Sequence, residues 1–384
     1  MRSSTLLALL PFAFAAPAAR SGAAPVLVPR GAKVIEGKYI IKMKDTMGVE
    51  AISSAISSIA ADADHQYSSF NGFAASLTPE EVEKLQNDPN VDFIEQDAIV
   101  TISATQEDAT WGLARLSNDK PGSTTYTYDD TAGAGTCAYI IDTGIYTNHT
   151  DFGGRAKFLK NFAGDGDDSD GNGHGTHVAG TIGSKTYGVA KKTSLFGVKV
   201  LDANGSGSNS GVIAGMDFVA KDAASQDCPK GVVVNMSLGG PTSSAVNKAA
   251  AGITSAGLFL AVAAGNEATD ASGSSPASEK SACTVGATDK TDTLSDFSNF
   301  GSVVDVLAPG TDIQSTWNDG RTKIISGTSM ASPHVAGLGA YFLGKGEKVS
   351  GLCEYMAQNG LKDVIQSVPS DTANVLINNG EKSS

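Results

Sequence analysis

Three short runs in this chain are unbroken by any charged or amide side chain: Ala138-Tyr139-Ile140-Ile141, Gly231-Val232-Val233-Val234 and Leu258-Phe259-Leu260-Ala261-Val262. A strand with one wet face alternates apolar and polar residues, whereas an unbroken run suits a strand buried on both faces. Between them lie segments with apolar residues at helical spacing, Gly211 to Ala224 and Ala245 to Ala256. Strands alternating with helices predict an α/β fold from about Ala104 onward, a parallel central sheet with helices on both faces. Active sites in such sheets sit at the carboxyl ends of strands. Composition permits a core of this size: 41% of residues are hydrophobic and only 18% charged, and 44 glycines suit tight turns and close packing. No internal repeat is present.

The first hundred residues have a different texture. Arg2 followed by the apolar run Leu6 to Ala16 and small residues at Ala13-Phe14-Ala15 and Ala16-Pro17-Ala18 predicts an export signal over residues 1–19. The run is too short to span a bilayer, Pro11 and Pro17 argue against a core helix, and no later stretch is long and apolar enough to cross. Residues 20 to about 37 read as an Ala/Pro-rich linker. Strand-like patterns follow at Lys38 to Met43, Phe70 to Leu77 and Val91 to Thr101, with room for another near His65 to Ser69. Helical spacing spans Val49 to Ile59. A second helix starts at Thr78-Pro79-Glu80-Glu81, where Thr78 caps, Pro79 suits the first helical position and Glu81 completes a capping box. The order predicts a small α+β, ferredoxin-like split βαβ domain.

Charge and cysteine narrow the function classes. The chain carries 28 Lys and Arg against 41 Asp and Glu, which gives no electrostatic footprint for nucleic acid or an anionic membrane. Cys137, Cys228, Cys283 and Cys353 form no CxxC pair, so zinc and thioredoxin chemistry are disfavoured. An even count in an exported chain predicts two disulfides, with three pairings open.

Three motifs carry the chemistry. Ile141-Asp142-Thr143-Gly144 puts a carboxylate at the end of a buried strand. Taken alone it is as consistent with a plain turn. Gly173-His174-Gly175-Thr176-His177-Val178-Ala179-Gly180 surrounds a histidine with small residues that allow close approach. Its two histidines lack the HExxH pattern, so His177 reads as a packed structural residue rather than a metal ligand. Gly327-Thr328-Ser329-Met330-Ala331-Ser332-Pro333-His334 puts Ser329 at the opening of a helix, with Pro333 tolerated in the first turn. Ser329 lacks the G-x-S-x-G elbow usual in serine esterases.

The order Asp142, His174, Ser329, joined by Trp111-Gly112-Leu113-Ala114-Arg115, Asn235-Met236-Ser237-Leu238-Gly239-Gly240 and Ala263-Ala264-Gly265-Asn266, resembles the subtilisin superfamily and its proteinase K branch. The likeness covers nearly all of residues 104–384. It implies a serine endopeptidase in which Ser329 attacks the scissile carbonyl. His174 would relay the proton, Asp142 orient the imidazole, and Asn266 complete an oxyanion hole with the Ser329 N–H. It further implies a peptide-binding cleft between Gly205, Ser206, Gly207 and Ser208 on one side and Ser237, Leu238 and Gly239 on the other. The P1 pocket would be walled by Ser237-Leu238-Gly239 and Ala263-Ala264-Gly265. Those walls are small and uncharged, predicting broad cleavage after aromatic and aliphatic residues.

The resemblance also selects Cys137–Cys228 and Cys283–Cys353. It implies structural calcium at Asp305 with the carbonyls of Lys280 and Ala282, and a second site at Asp119 and Asp363 as a guess. Residues 20–103 would be an inhibitory propeptide cleaved by the enzyme itself after Ser103, leaving a secreted, monomeric enzyme acting on proteins and peptides. Asn209 stands where the proteinase K branch has a tyrosine, leaving P4 preference open. Val178 replaces a cysteine, and Lys280 a proline. The loop before His174 looks two residues longer; its Asp165, Asp167, Asp168 and Asp170 read as a solvated cluster. Asn148-His149-Thr150 and Asn204-Gly205-Ser206 match the glycosylation pattern.

Overall fold

The computed structural model describes residues 22–28, 34–60, 62–67, 70–98 and 103–381 of the 384-residue chain. It separates into two compact units, 1–100 and 101–384. The expected export signal lies outside the described residues.

The leading unit holds β1 (Val26–Leu27), β2 (Val34–Met43), α1 (Val49–Ser57), β3 (Ala63–Tyr67), β4 (Gly72–Ser76), α2 (Pro79–Gln86) and β5 (Val91–Ala98). Its sheet runs β1-β5-β2-β4-β3, antiparallel except for the β1–β5 pair. The cap of α2 forms as expected: Glu81 N donates to Thr78 Oγ1 (3.3 Å) and Thr78 N to Glu81 Oε2 (2.9 Å). Two satisfied donors and the proline fix where the helix starts. Ile41, Phe73, Leu85 and Ile94 are fully buried at the centre of this unit. The linker expectation needs correction. Ala24 is buried and donates to Gln86 O (2.7 Å), Ile94 N donates to Pro25 O (2.9 Å), and β2 begins at Val34. The free edge of β5 offers a backbone ladder that Val26–Leu27 completes.

The second unit opens with β6 (Ser103–Gln106), α3 (Trp111–Arg115), β7 (Tyr126–Asp129), β8 (Thr136–Asp142) and β9 (Ala156–Asn161). Next come α4 (His174–Gly183), β10 (Ser194–Lys199), α5 (Asn209–Asp222), β11 (Gly231–Met236), β12 (Gly240–Pro241), α6 (Ser244–Ser255) and β13 (Phe259–Ala263). It closes with β14 (Ser274–Ser275), β15 (Cys283–Thr288), β16 (Val306–Pro309), β17 (Ile313–Thr316), β18 (Thr322–Ile325), α7 (Thr328–Lys345), α8 (Leu352–Asn359), β19 (Leu361–Lys362) and β20 (Val375–Leu376). The main sheet runs β19-β20-β16-β15-β13-β11-β8-β10-β9 and is parallel but for the terminal β19–β20 pair.

The unbroken apolar runs form β8, β11 and β13, at the centre of that sheet. Their residues alternate between two cores. Ala138, Ile140, Val233, Phe259 and Ala261 pack on the α4–α7 side; Tyr139, Ile141, Val232, Val234, Leu260 and Val262 pack on the α5–α6 side. Sixteen of the eighteen residues of α7 are buried, so it has no wet face to make it amphipathic. Both disulfides form as the resemblance implied, Cys137–Cys228 and Cys283–Cys353, each with Cα atoms 5.6 Å apart.

Candidate active site

Asp142 ends β8, and β8 lies between β10 and β11, where the chain order of the sheet reverses. This is the crevice position that open α/β sheets use for binding. The Asp142 carboxylate is fully buried, and its Oδ1 lies 2.7 Å from His174 Nδ1 and accepts from Thr143 N (2.8 Å). His174 is the first residue of α4. Close packing there requires glycine: a Cβ on Gly175 would fall 2.1 Å from Gly144 O, and one on Gly173, at φ +105°, 2.4 Å from the Trp317 ring.

Burial works to lower the His174 pKa, but the charge and hydrogen bond of Asp142, joined by Asp170, outweigh it; the net direction is up from the ordinary histidine value. His177, one turn on, is fully buried and gives Nε2 to the carbonyls of Ile313 (2.9 Å) and Lys323 (3.1 Å); burial pushes its pKa down to about 3. It is packed as the sequence predicted.

Ser329 is the second residue of α7. Its hydroxyl donates to Ser237 O (3.2 Å), and its own carbonyl accepts from Ser237 Oγ (2.8 Å). The sequence placed Pro333 in the first turn. It sits in the second, where a proline leaves the carbonyl four residues back without its helical donor. That carbonyl belongs to Ser329, and Ser237 supplies the missing bond. Asn235 Nδ2 in turn donates to Ser237 Oγ (2.9 Å), and Ser332 Oγ to Asn235 Oδ1 (2.8 Å).

Asn266 Oδ1 accepts both the backbone N–H (2.7 Å) and the hydroxyl (2.9 Å) of Thr328. A backbone N–H can only donate, so the acceptor end of the amide is fixed and Nδ2 is left for other partners. A methyl group built on Gly327 would sit 3.6 Å from both Asn266 Oδ1 and Ser329 N and 3.7 Å from Asn266 Nδ2, so the Asn266 amide and the Ser329 N–H both flank Gly327.

Two cavities meet here. The first, about 460 Å³, is lined by Leu238, Gly239, Ala263, Ala264, Gly265, Asn266 and Ser329. The second, about 490 Å³, is lined by His174, Gly205, Ser206, Gly207, Ser237, Leu238, Gly239 and Asn209. Ser208 instead caps α5, accepting from Gly211 N (3.1 Å). Glu267 and Asp270 also line the first cavity, and the sequence reading missed them. They lie just past the wall residues it named, and only the turn after Asn266 brings them round.

Asp305 belongs to a separate cavity lined also by Lys280, Ala282 and Glu354. Burial pushes its carboxyl pKa up to about 6. Cys283 and Cys353 lie beside it, but their sulfurs are spent in a disulfide and cannot act as thiolate ligands. Asp165, Asp167 and Asp168 are exposed, as expected of a solvated loop, but Asp170 is not. Asp170 is 5% exposed, and Asp165 pairs with the buried Lys199 (3.1 Å). A counter-charge for the loop is thus supplied by the protein's own Lys199.

A family model described as the subtilase family, peptidase S8, matches residues 133–375. The chain belongs to the subtilase family. A second model, peptidase inhibitor I9, matches residues 38–103 of this subtilase. The chain is 87% identical over 292 residues to Proteinase T of Parengyodontium album, covering 76% of this chain and all of that one. It is 53% identical over 388 residues to a cuticle-degrading protease of Metarhizium anisopliae, covering 99% and 100%. The solved structure of a cold adapted subtilisin-like serine proteinase aligns with TM-score 0.67 at 44% identity, covering 71% of this chain and 99% of that one. This subtilase is therefore a serine endopeptidase with an I9-type inhibitor unit ahead of its catalytic unit.

Proposed function

We propose that this peptidase is secreted and cleaves proteins broadly, with Ser329 as nucleophile, His174 as general base then acid, and Asp142 as the group that fixes the imidazole tautomer. The observation that carries the reading is the 2.7 Å Asp142–His174 bond at the sheet's crevice, with the Asn266 and Ser329 donors beside the same cleft. Ser329 Oγ gives its proton to His174 and bonds to the scissile carbonyl carbon. The carbonyl oxygen takes up negative charge between Asn266 Nδ2 and Ser329 N. His174 then protonates the leaving amine, and water repeats the sequence to release the acid. To act, the Ser329 hydroxyl turns from the Ser237 carbonyl toward the imidazole. In subtilisin itself, losing the asparagine of the oxyanion hole costs about 10²–10³ in kcat.

The substrate backbone is read as a strand between Gly205–Gly207 and Ser237–Gly239, which line one cavity. P1 enters the cavity walled by Ala263–Gly265, with apolar residues preferred. Residues 20–103 act as inhibitor and folding aid until cleavage after Ser103. Calcium suits Asp305 and the carbonyls of Lys280 and Ala282: a half-buried carboxylate with no salt-bridge partner among the described residues gains from a hard cation. Mass spectrometry of the secreted protein, with a casein digest, tests the reading. It should return a mature chain starting at Ala104 and cleavages after aromatic and aliphatic residues, while Ser329→Ala remains uncut. Full processing of Ser329→Ala with no other protease present would refute it.

A further inference from the structure

His174 does not hold the start of α4 unaided. Four residues earlier, the buried Asp170 carboxylate accepts from five donors. Its Oδ1 takes the backbone N–H groups of Asn172 (3.1 Å) and Gly173 (2.7 Å) and the hydroxyl of Thr143 (2.8 Å). Its Oδ2 takes the backbone N–H (2.9 Å) and hydroxyl (2.5 Å) of Thr176. Thr143 directly follows Asp142, donates its N–H to Asp142 Oδ1 (2.8 Å), and accepts at Oγ1 from Gly175 N (2.9 Å). One threonine therefore bridges two buried carboxylates, and both sides of the Asp142–His174 bond are tied to Asp170.

We propose that Asp170 is a positioning residue for proton transfer, a second buried carboxylate that sets the register of His174 against Asp142 and stabilises the imidazolium formed when Ser329 loses its proton. The proposal rests on the peptidase reading and deepens it. Five donors take the place of water around this carboxylate. All five are neutral, so its charge still acts on the imidazole. The neighbouring charges leave that field standing. On β10, the Lys199 ammonium is matched by Asp165 (3.1 Å). On α4 and α7, His177 and His334 are buried with pKa values pushed down by burial to about 3 and about 4, so both are neutral. On the short turn beside α4, Asp151 accepts from Thr186 N (2.9 Å) and His149 gives Nε2 to Arg321 O (2.9 Å). On β18, the Lys323 ammonium lies over the Trp317 ring (4.0 Å). Asp170 is also among the groups that raise the His174 pKa.

The test is Asp170→Asn, assayed on a soluble peptide with active sites counted by a serine-directed phosphonate, so that misfolded protein does not enter kcat. The expected result is a kcat about 30–100-fold lower, KM within about twofold, and an acid limb of kcat/KM moved about 0.5–1 pH unit lower. An unchanged kcat, or a lower kcat with the acid limb where the wild type has it, would overturn the proposal. Thr143→Val keeps both charges and cuts the bridge; it should lose kcat with the acid limb unmoved, and Thr143→Ser should restore it. Should Asp170→Asn not accumulate, a Thr143→Val kcat within twofold of wild type overturns the proposal on its own. A wild-type protein inert to both peptide and phosphonate would instead sink the peptidase reading, before any Asp170 variant is measured.

Discussion

Ser237 and Ser329 exchange two hydrogen bonds, Ser329 Oγ to Ser237 O at 3.2 Å and Ser237 Oγ to Ser329 O at 2.8 Å. The second exists because Pro333 has no N–H for the Ser329 carbonyl. Ser237→Ala leaves that carbonyl and the Asn235 amide short of a partner, so we expect a loss of about 1–3 kcal/mol in stability and a lower kcat. Pro333→Ala puts a helical N–H back. The Ser237→Ala/Pro333→Ala double variant should be less destabilised than the single changes sum to, which a double-mutant cycle in urea measures.

The acid limb of activity follows His174. Its pKa is raised, so the imidazole is neutral and able to act as base only above a value higher than that of an ordinary histidine. Activity should be full at alkaline pH and fall as pH drops through that raised value, above about 6.5. A kcat/KM profile on a neutral peptide checks this, and an optimum at or below pH 5 would contradict it.

Glu267 should widen the expected P1 preference. It is exposed on the wall of the Ser329 cavity, and its Oε2 accepts from Asn266 N (3.0 Å) and Asn299 Nδ2 (2.8 Å). Both donors are neutral, so its charge remains available to a substrate. Apolar P1 residues should still lead, with lysine accepted behind them. Glu267→Gln should lower kcat/KM for P1 lysine about tenfold and leave P1 phenylalanine within about twofold, as a peptide library would show.

Much of this was legible in the chain, for a physical reason. Strands buried on both faces have no polar positions, so β8, β11 and β13 announce themselves and place Asp142 at a strand end. The capping box of α2 is likewise a local signal, complete within four residues. What sequence could not give depends on contacts far along the chain. Asp170 looks like its solvated neighbours until Thr143 and Thr176 close on it, and Glu267 enters the cavity only through a turn. Pro333 reads as a first-turn residue until the helix start at Thr328 puts it one turn further in. The role of Val26–Leu27 was invisible because an edge strand of two residues carries no periodicity.

Calcium should matter most where Asp305 is ionised. A folded-state pKa pushed up to about 6 means that ionising this carboxyl costs stability as pH rises through that value, and a bound cation offsets the cost. Chelation should therefore lower Tm at pH 8 by more than it does at pH 5. Asp305→Asn should abolish the difference, with thermal unfolding as the readout.

The most direct check of the central claim is covalent labelling with a fluorophosphonate followed by peptide mapping. A single adduct on Ser329, formed far more slowly in His174→Ala and absent in Ser329→Ala, is the expected result. An adduct on any other serine, or casein hydrolysis that survives Ser329→Ala, would contradict it.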